Sequence, residues 1–205
     1  MDVAKHRLET ALADIPAPTR AKLWQYIEGL LRWNQAYNLT AIRDPEAIVS
    51  RHILDSASIV AAVRGRLLDV GTGAGLPGMV LAILRPQMEV TLLDSNGKKI
   101  RFLRQMVSEL ALPCVQVVQA RVEETDTQTY DTISSRAFAS LRDMAEACRH
   151  RLAPGGRLLA MKGKYPAAEL QELPADLQVQ VQRLQVAYLD EERHLIILSR
   201  AGDER

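Results

Sequence analysis

Along residues 1–62 the apolar positions recur at helical spacing, with Leu23, Ile27, Leu30 and then Asn34 on one face and Trp24, Tyr26 and Trp33 nearby. Gly29 is the only glycine of that stretch. The segment Asn34 to Thr40 is expected to end this helix, and Asp44-Pro45-Glu46 can start another, with Asp44 as N-cap and Pro45 at the first helical position. From Arg66 the pattern changes to short apolar runs alternating with amphipathic stretches, which implies a mainly parallel sheet flanked by helices. Strands are expected at 67–70, 90–94, 115–118, 130–135 and 157–161. Helices are expected after the first two strands and over Leu141 to Leu152, the last followed by a turn at Pro154-Gly155-Gly156. After a polar helix near Ala167 to Leu173, two more strands run from Val179 towards Tyr188 and from His194 to Leu198. The short link Leu189-Asp190-Glu191-Glu192 allows them to pair antiparallel, giving a seven-stranded, mostly parallel sheet with an antiparallel pair at its C-terminal end. The chain thus divides into an N-terminal helical extension, 1–62, and an α/β unit, 63–205.

The first of these strands breaks into a glycine turn, Asp69-Val70-Gly71-Thr72-Gly73-Ala74-Gly75-Leu76-Pro77-Gly78, followed by the apolar helix pattern of Met79 to Leu84. Two ligand classes use such a turn. Gly73, Gly75 and Gly78 fit the dinucleotide spacing, in which a pyrophosphate rests on the helix N-terminus. The strand ends at Val70, however, so the turn proper is Gly71, Gly73 and Gly75 preceded by the acid Asp69, whose charge would repel a pyrophosphate and suit a ligand carrying an ammonium group. S-adenosylmethionine is such a ligand, and the segment looks like the first motif of class I, Rossmann-like methyltransferases. The second strand ends in another acid, Asp94, placed where this type of fold hydrogen-bonds the ribose hydroxyls of an adenosine.

Composition narrows little further. Apolar residues make up 47% and charged residues 25% of 205 positions, and no run approaches a membrane span. Residues 1–6 have no apolar signal-peptide core, and the two cysteines, Cys114 and Cys148, show no metal-ligand spacing, so a reduced cytoplasmic setting with no metal is expected. A net charge of +1 means that any nucleic-acid contact must rest on local basic patches. Lys98, Arg101 and Arg104 recur every third residue on the helix after the second strand, and Lys162 and Lys164 follow the fifth strand. Each patch is read either as a solvated face or as an RNA-phosphate contact.

The carboxyl ends of the parallel strands should carry the chemistry. Val122, Glu123 and Glu124 sit where an adenine edge could be read, and Arg136-Ala137-Phe138-Ala139 follows the fourth strand, facing the transferred methyl group. Cys114 precedes the third strand, on the wrong side for a cysteine nucleophile, and the turn after the fourth strand lacks the Asn/Asp-Pro-Pro-Tyr pattern of exocyclic-amine methylation. An acceptor that is already nucleophilic, such as N7 of guanine, remains, with catalysis mainly by positioning. His52 and Asp55, three apart on a predicted helix, could form a hydrogen bond or ion pair, as a helix support or in catalysis.

Tyr37-Asn38-Leu39-Thr40, Arg51 to Ser56, Asp69 to Gly78, Lys98 to Leu103 and Arg136 to Ala139 together resemble the bacterial small-subunit ribosomal RNA N7-guanine methyltransferases, also called glucose-inhibited division protein B, over essentially the whole chain. The resemblance implies methyl transfer from S-adenosylmethionine, leaving S-adenosylhomocysteine, to N7 of a guanine in the 530 loop of 16S ribosomal RNA, free or within the small subunit or an assembly precursor. It implies donor contacts at Gly71, Leu76, Val122, Glu123, Glu124 and Arg136, to which the turn spacing adds Gly73 and the wider superfamily Asp94. A monomer in the cytoplasm is expected. An NAD-dependent oxidoreductase and a non-catalytic RNA-binding protein are the competing readings, and titration with S-adenosylmethionine and NAD distinguishes them.

Overall fold

Strands buried on both faces need apolar residues at consecutive positions, and the central strands of this chain have them. In the computed structural model, which describes residues 1–124, 128–136 and 138–200, β1 (Leu67–Val70) and β2 (Val90–Asp94) are buried at every position. With β3 (Val115–Gln119), β4 (Tyr130–Ser135), β5 (Leu152–Lys162), β6 (Leu177–Leu184) and β7 (Arg193–Arg200) they form one sheet in the order β3-β2-β1-β4-β5-β7-β6. β1 to β5 pair parallel, and β7 inserts antiparallel between β5 and β6. This is the class I methyltransferase arrangement that the sequence pattern predicts, with β6 at the edge.

Alternation along each strand sends neighbouring side chains into two separate cores. Leu67, Leu92, Leu159 and Ile197 join one apolar layer, and Leu68, Leu93, Leu158 and Ile196 the other. The first layer also holds α1 (Asp2–Ala11), α2 (Ala17–Tyr37), α5 (Gly78–Leu84) and α6 (Gly97–Glu109), through Leu8, Leu23, Ile27, Met79 and Phe102 among others. The second is closed by α7 (Leu141–Cys148), through Leu141, Met144 and Cys148. The N-terminal helices therefore share one continuous core with the sheet. Among the described residues, no helix is long and apolar enough to cross a membrane.

Asp44 caps the next helix as expected, its carboxylate accepting from the Ala47 amide at 2.7 Å. That helix does not stay α-helical, however: α3 (Pro45–Ile48) runs into a π-helical segment, Val49–Leu54, and ends in the short α4 (Asp55–Ala57). Three further boundaries depart from the sequence pattern. The helix expected to reach Leu152 stops at Cys148, and a 3-10 turn, Arg149–Arg151, carries the chain into β5. Pro154-Gly155-Gly156 is not a turn before β5 but an irregularity within it: the register with β4 shifts between Tyr130 and Thr132, and a side chain on Gly156 would lie 2.8 Å from the Ala153 carbonyl. β6 ends at Leu184 rather than near Tyr188, whose φ of 61° breaks the extended pattern, so the link to β7 spans 185–192. A short α8 (Ala167–Gln171) lies between β5 and β6. Ala137 and the tail 201–205, which the sequence suggests is free, lie outside the described residues.

Candidate active site

The glycine turn leaves β1 at the centre of the sheet, flanked by β2 and β4, whose residues Leu93 and Ser135 both lie opposite Val70. Gly71 and Gly73 have φ of 65° and 63°, left-handed values that a side chain would strain. The Thr72 amide donates to the Leu93 carbonyl, and the amides of Gly75 and Leu76 donate back to the Thr72 carbonyl, which closes the turn onto α5. Gly78 opens that helix directly against β1. A Cβ there would lie 2.4 Å from Leu92 Cδ2 and 2.7 Å from Asp69 Oδ2.

Asp69 has a different task from the one its sequence position suggests. It is fully buried, not presented to a ligand. Its Oδ2 accepts from Thr72 Oγ1 at 2.6 Å and from the Gly78 amide at 2.8 Å, and its Oδ1 accepts from Ser134 Oγ at 2.9 Å. One carboxylate thus ties β1, the turn, α5 and β4 together. Burial pushes its pKa up to about 6 against the pull of these hydrogen bonds. Its oxygens are engaged within the fold, so Asp69 makes no direct ligand contact by which to choose between ligand classes.

Asp94 is the acid that opens on a cleft. It lines a cleft of about 380 Å³ with Gly71, Lys99, Val122, Glu123 and Phe138, among others. Asp94 Oδ2 accepts from the Gly73 amide at 2.9 Å and lies 3.7 Å from Lys99 Nζ, and Oδ1 accepts from the Asn96 amide at 2.8 Å. A carboxylate has about four acceptor sites, so these contacts orient it and still leave capacity for ribose hydroxyls. A left-handed glycine turn, an acid at the next strand end and the apolar Val70, Leu93, Val122 and Phe138 fit an adenosine-bearing donor. Of the predicted donor contacts, Gly71, Asp94, Val122 and Glu123 meet on this cleft. Gly73 reaches it by orienting Asp94, Leu76 is buried in the core beneath the turn, and Glu124 is exposed beside it, near the Arg121 amide. Lys99 is a cleft residue that the residue pattern did not single out.

Arg136 lies one strand further along the same sheet end, in a second pocket of about 260 Å³ whose lining includes Asp55, Lys162, Gly163, Arg193 and His194. Asp55 is 2% exposed, with Arg136 Nη1 at 3.5 Å from Oδ2 and Arg193 Nε at 3.3 Å from Oδ1. Burial raises its pKa, and the two guanidiniums pull it back down. Arg193 also contacts the Glu191 carboxylate at 3.0 Å and the Glu192 carbonyl at 2.8 Å. The expected His52–Asp55 pair does not form. Residues three apart share a face in an α-helix, but Val49–Leu54 is π-helical, and His52 turns to Thr40 Oγ1 at 2.8 Å. Burial, helped by Arg136, lowers the His52 pKa to about 4, so the ring is neutral at pH 7.

Lys162 lines the second pocket and is held by Glu169 at 2.9 Å, whereas Lys164 is exposed beyond it. Lys98, Arg101 and Arg104 are all exposed on α6, the helix that starts two residues after Ser95 at the Asp94 cleft. Cys114 precedes β3, at the opposite end of the parallel strands, and Cys148 is buried with its thiol pKa pushed up to about 12. Neither is placed to attack an acceptor.

The family model described as rRNA small subunit methyltransferase G matches residues 19–196. The chain is 57% identical, over 176 residues, to the ribosomal RNA small subunit methyltransferase G of Chromohalobacter salexigens, covering 83% of this chain and 85% of that one. It is 50% identical to the protein of the same name from Acinetobacter baumannii, covering 87% of both. Among solved structures, a SAM-dependent methyltransferase from Aquifex aeolicus matches with a TM-score of 0.57 at 17% identity, over 76% of this chain and 93% of that one. TrmN from Thermus thermophilus matches with a TM-score of 0.57 at 19% identity, over 74% of this chain and 53% of that one. The two structures support the fold, and the family match with its close relatives settles the lineage: the chain belongs to the rRNA small subunit methyltransferase G family, whose members are S-adenosylmethionine-dependent rRNA methyltransferases.

Proposed function

We propose that this chain transfers a methyl group from S-adenosylmethionine to N7 of a guanine in the 530 loop of 16S ribosomal RNA, acting as a cytoplasmic monomer on the small subunit or a precursor of it. In this reading Gly71, Asp94, Val122 and Glu123 hold the donor, and the second pocket takes the acceptor. Residues 63–205 carry methyl transfer, with 1–62 as a helical extension that packs on them. The observation that carries the reading is the adjacency of the two pockets at the carboxyl ends of β1 and β4, with Arg136 on the acceptor side.

The donor supplies an electrophilic methyl carbon on a sulfonium. Guanine N7 has an in-plane lone pair and carries no proton, so the new N–C bond forms as the S–C bond breaks, the sulfur keeps the bonding pair, and the purine takes up the positive charge. No general base is required, and neither cysteine is called on. The chain's task is to hold N7 in line with the methyl group and exclude competing acceptors. Arg136 can donate to guanine O6 and must leave N7 unbonded, since a hydrogen bond there would engage the attacking lone pair.

The test is transfer of labelled methyl groups to naked 16S RNA and to small subunits, followed by mapping of the modified base. N7-methylguanine in the 530 loop is expected, and a different base or position would overturn the reading. Arg136→Ala and Arg136→Lys should each lose at least about tenfold in turnover, equivalent to roughly 1.4 kcal/mol of transition-state stabilisation, because a lysine cannot reproduce the planar fork. Unchanged turnover by the alanine variant would remove Arg136 from the active site.

A further inference from the structure

Buried carboxylates are normally saturated with hydrogen bonds, and Asp69 shows the rule in this molecule. Asp55 departs from it. Its side chain is 3% exposed, and its Oδ1, sealed from the pocket against Arg193, receives no hydrogen bond among the described residues, the Arg193 Nε contact at 3.3 Å being an ion pair without hydrogen-bond alignment. Among the described residues its Oδ2 has only the equally loose Arg136 contact at 3.5 Å. The two guanidiniums favour the carboxylate form against the burial that raises its pKa, and Oδ2, the oxygen that is not sealed, keeps unspent acceptor capacity. The carboxylate stands on the wall of the 260 Å³ pocket, beside Arg136.

Guanine is the base that matches this arrangement. Its N1–H and N2–H₂ point the same way as two adjacent donors, and one carboxylate oxygen set between them can accept from both. Adenine offers no donor at N1, and uracil and cytosine are too small to span from there to a methyl group at N7. We propose that Asp55 is a guanine-reading catalytic residue: its Oδ2 accepts from N1–H and N2–H₂ of the target base, with Arg136 available to O6 and N7 left facing the donor. This rests on the N7-guanine reading above and adds the residue that selects the base.

The same contact favours the reaction and not binding alone. Methylation at N7 puts a positive charge on the purine, which makes N1–H a stronger donor. The Asp55 contact therefore strengthens as the N–C bond forms, and an interaction stronger in the transition state than in the ground state raises turnover.

The experiment compares target RNA carrying guanine with RNA carrying inosine at the methylated position; inosine keeps N1–H, O6 and N7 and lacks only the N2 amine. Wild type should lose about tenfold or more in kcat/KM on inosine, as expected for one hydrogen bond to a charged acceptor. Asp55→Asn presents an amide to the same donors; it should be slow on both RNAs and distinguish them by less than about threefold. The two losses would then fail to add, as they do for groups in contact. Any effect of inosine on RNA folding is common to both enzymes and cancels in this comparison. Donor affinity, read by titration with S-adenosylhomocysteine, should be unchanged in the variant. Equal rates of wild type on the two RNAs, or losses that simply multiply, would show that Asp55 only braces Arg136 and Arg193 and would overturn the proposal. If a thermal melt shows that Asp55→Asn does not fold, Asp55→Glu takes its place with the same two criteria, since it retains the charge and displaces it by one methylene. Failure of wild type to methylate guanine RNA at N7 would instead defeat the underlying reading.

Discussion

Asp69 and His52 are both buried and both displaced from their ordinary titration, in opposite directions, and their effects on stability oppose each other over the same range of pH. The folded-state pKa of Asp69 is raised from 3.8 to about 6, so its contribution is fully present below pH 3.8 and is lost as pH rises through about 6. The pKa of His52 is lowered from 6.5 to about 4, so its contribution is present above pH 6.5 and is lost as pH falls through about 4. Acidification from pH 7 to pH 4.5 therefore engages a gain at Asp69 and a loss at His52. In Asp69→Asn the amide still accepts from Thr72 and Gly78 and can donate to Ser134, so the gain is removed without leaving a group unpaired. Urea unfolding at the two pH values should show this variant losing about 2 kcal/mol more than wild type on acidification, and His52→Gln about 2 kcal/mol less. Parallel profiles for all three proteins would mean that neither group titrates in the folded state as described.

At the scale of elements, the glycine turn is braced from outside the α/β unit. Tyr26, fully buried on α2, donates its hydroxyl to the Ala74 carbonyl at 2.6 Å and packs near Phe102 on α6, with ring centroids 6.3 Å apart. Burial raises the Tyr26 pKa well above its usual value, which keeps the hydroxyl a donor at every pH where the protein is folded. Tyr26→Phe keeps the ring and deletes the hydroxyl, leaving the buried Ala74 carbonyl unsatisfied. A loss of about 1–3 kcal/mol in unfolding free energy is expected, together with weaker binding of S-adenosylhomocysteine, since Ala74 lies between the turn glycines Gly73 and Gly75. Lower stability at unchanged product affinity would show that α2 supports the core without shaping the donor turn. The π-helical segment is a second device at this scale: it directs His52 towards Thr40 and Asp55 towards the arginines of the second pocket.

For the whole molecule, the balance of +1 leaves RNA attraction to be generated locally. Lys98, Arg101 and Arg104 lie exposed on α6, whose N-terminus adjoins the Asp94 cleft, while Lys162 lines the second pocket. Cations are thus distributed around the sheet end that carries both pockets. A double variant, Lys98→Ala with Arg101→Ala, should raise the KM for RNA and leave donor affinity unchanged. For every phosphate no longer neutralised, the slope of log affinity against log salt should fall by about 0.7–0.9, so a fall of roughly 1.5 is expected for the pair. An unaltered slope would identify the α6 band as a solvated face.

Sequence alone determined the alternation of elements, the position of the glycine turn and the acid at the end of β2, because these depend on local periodicity, turn chemistry and spacing along one stretch of chain. Asp94 and Gly71, placed in this way at neighbouring strand ends, do line one cleft. The strand limits around Gly155 and Tyr188 could not be read in the same way: sheet pairing carries β5 through the irregularity at Gly155, whereas β6 pairing ends at Leu184 and Tyr188 turns left-handed in the link beyond it. Tertiary structure also decided what each charge faces. Asp69 and Asp94 lie near the ends of adjacent strands and look alike in the sequence, yet one is sealed under α5 and the other opens on the cleft. Asp55, Arg136 and Arg193 come from the N-terminal helices, the end of β4 and the start of β7, so no spacing pattern could announce their meeting. Their association follows from the insertion of β7 beside β5 and from the packing of the helical extension on the same core, both products of long-range pairing and burial rather than of local sequence.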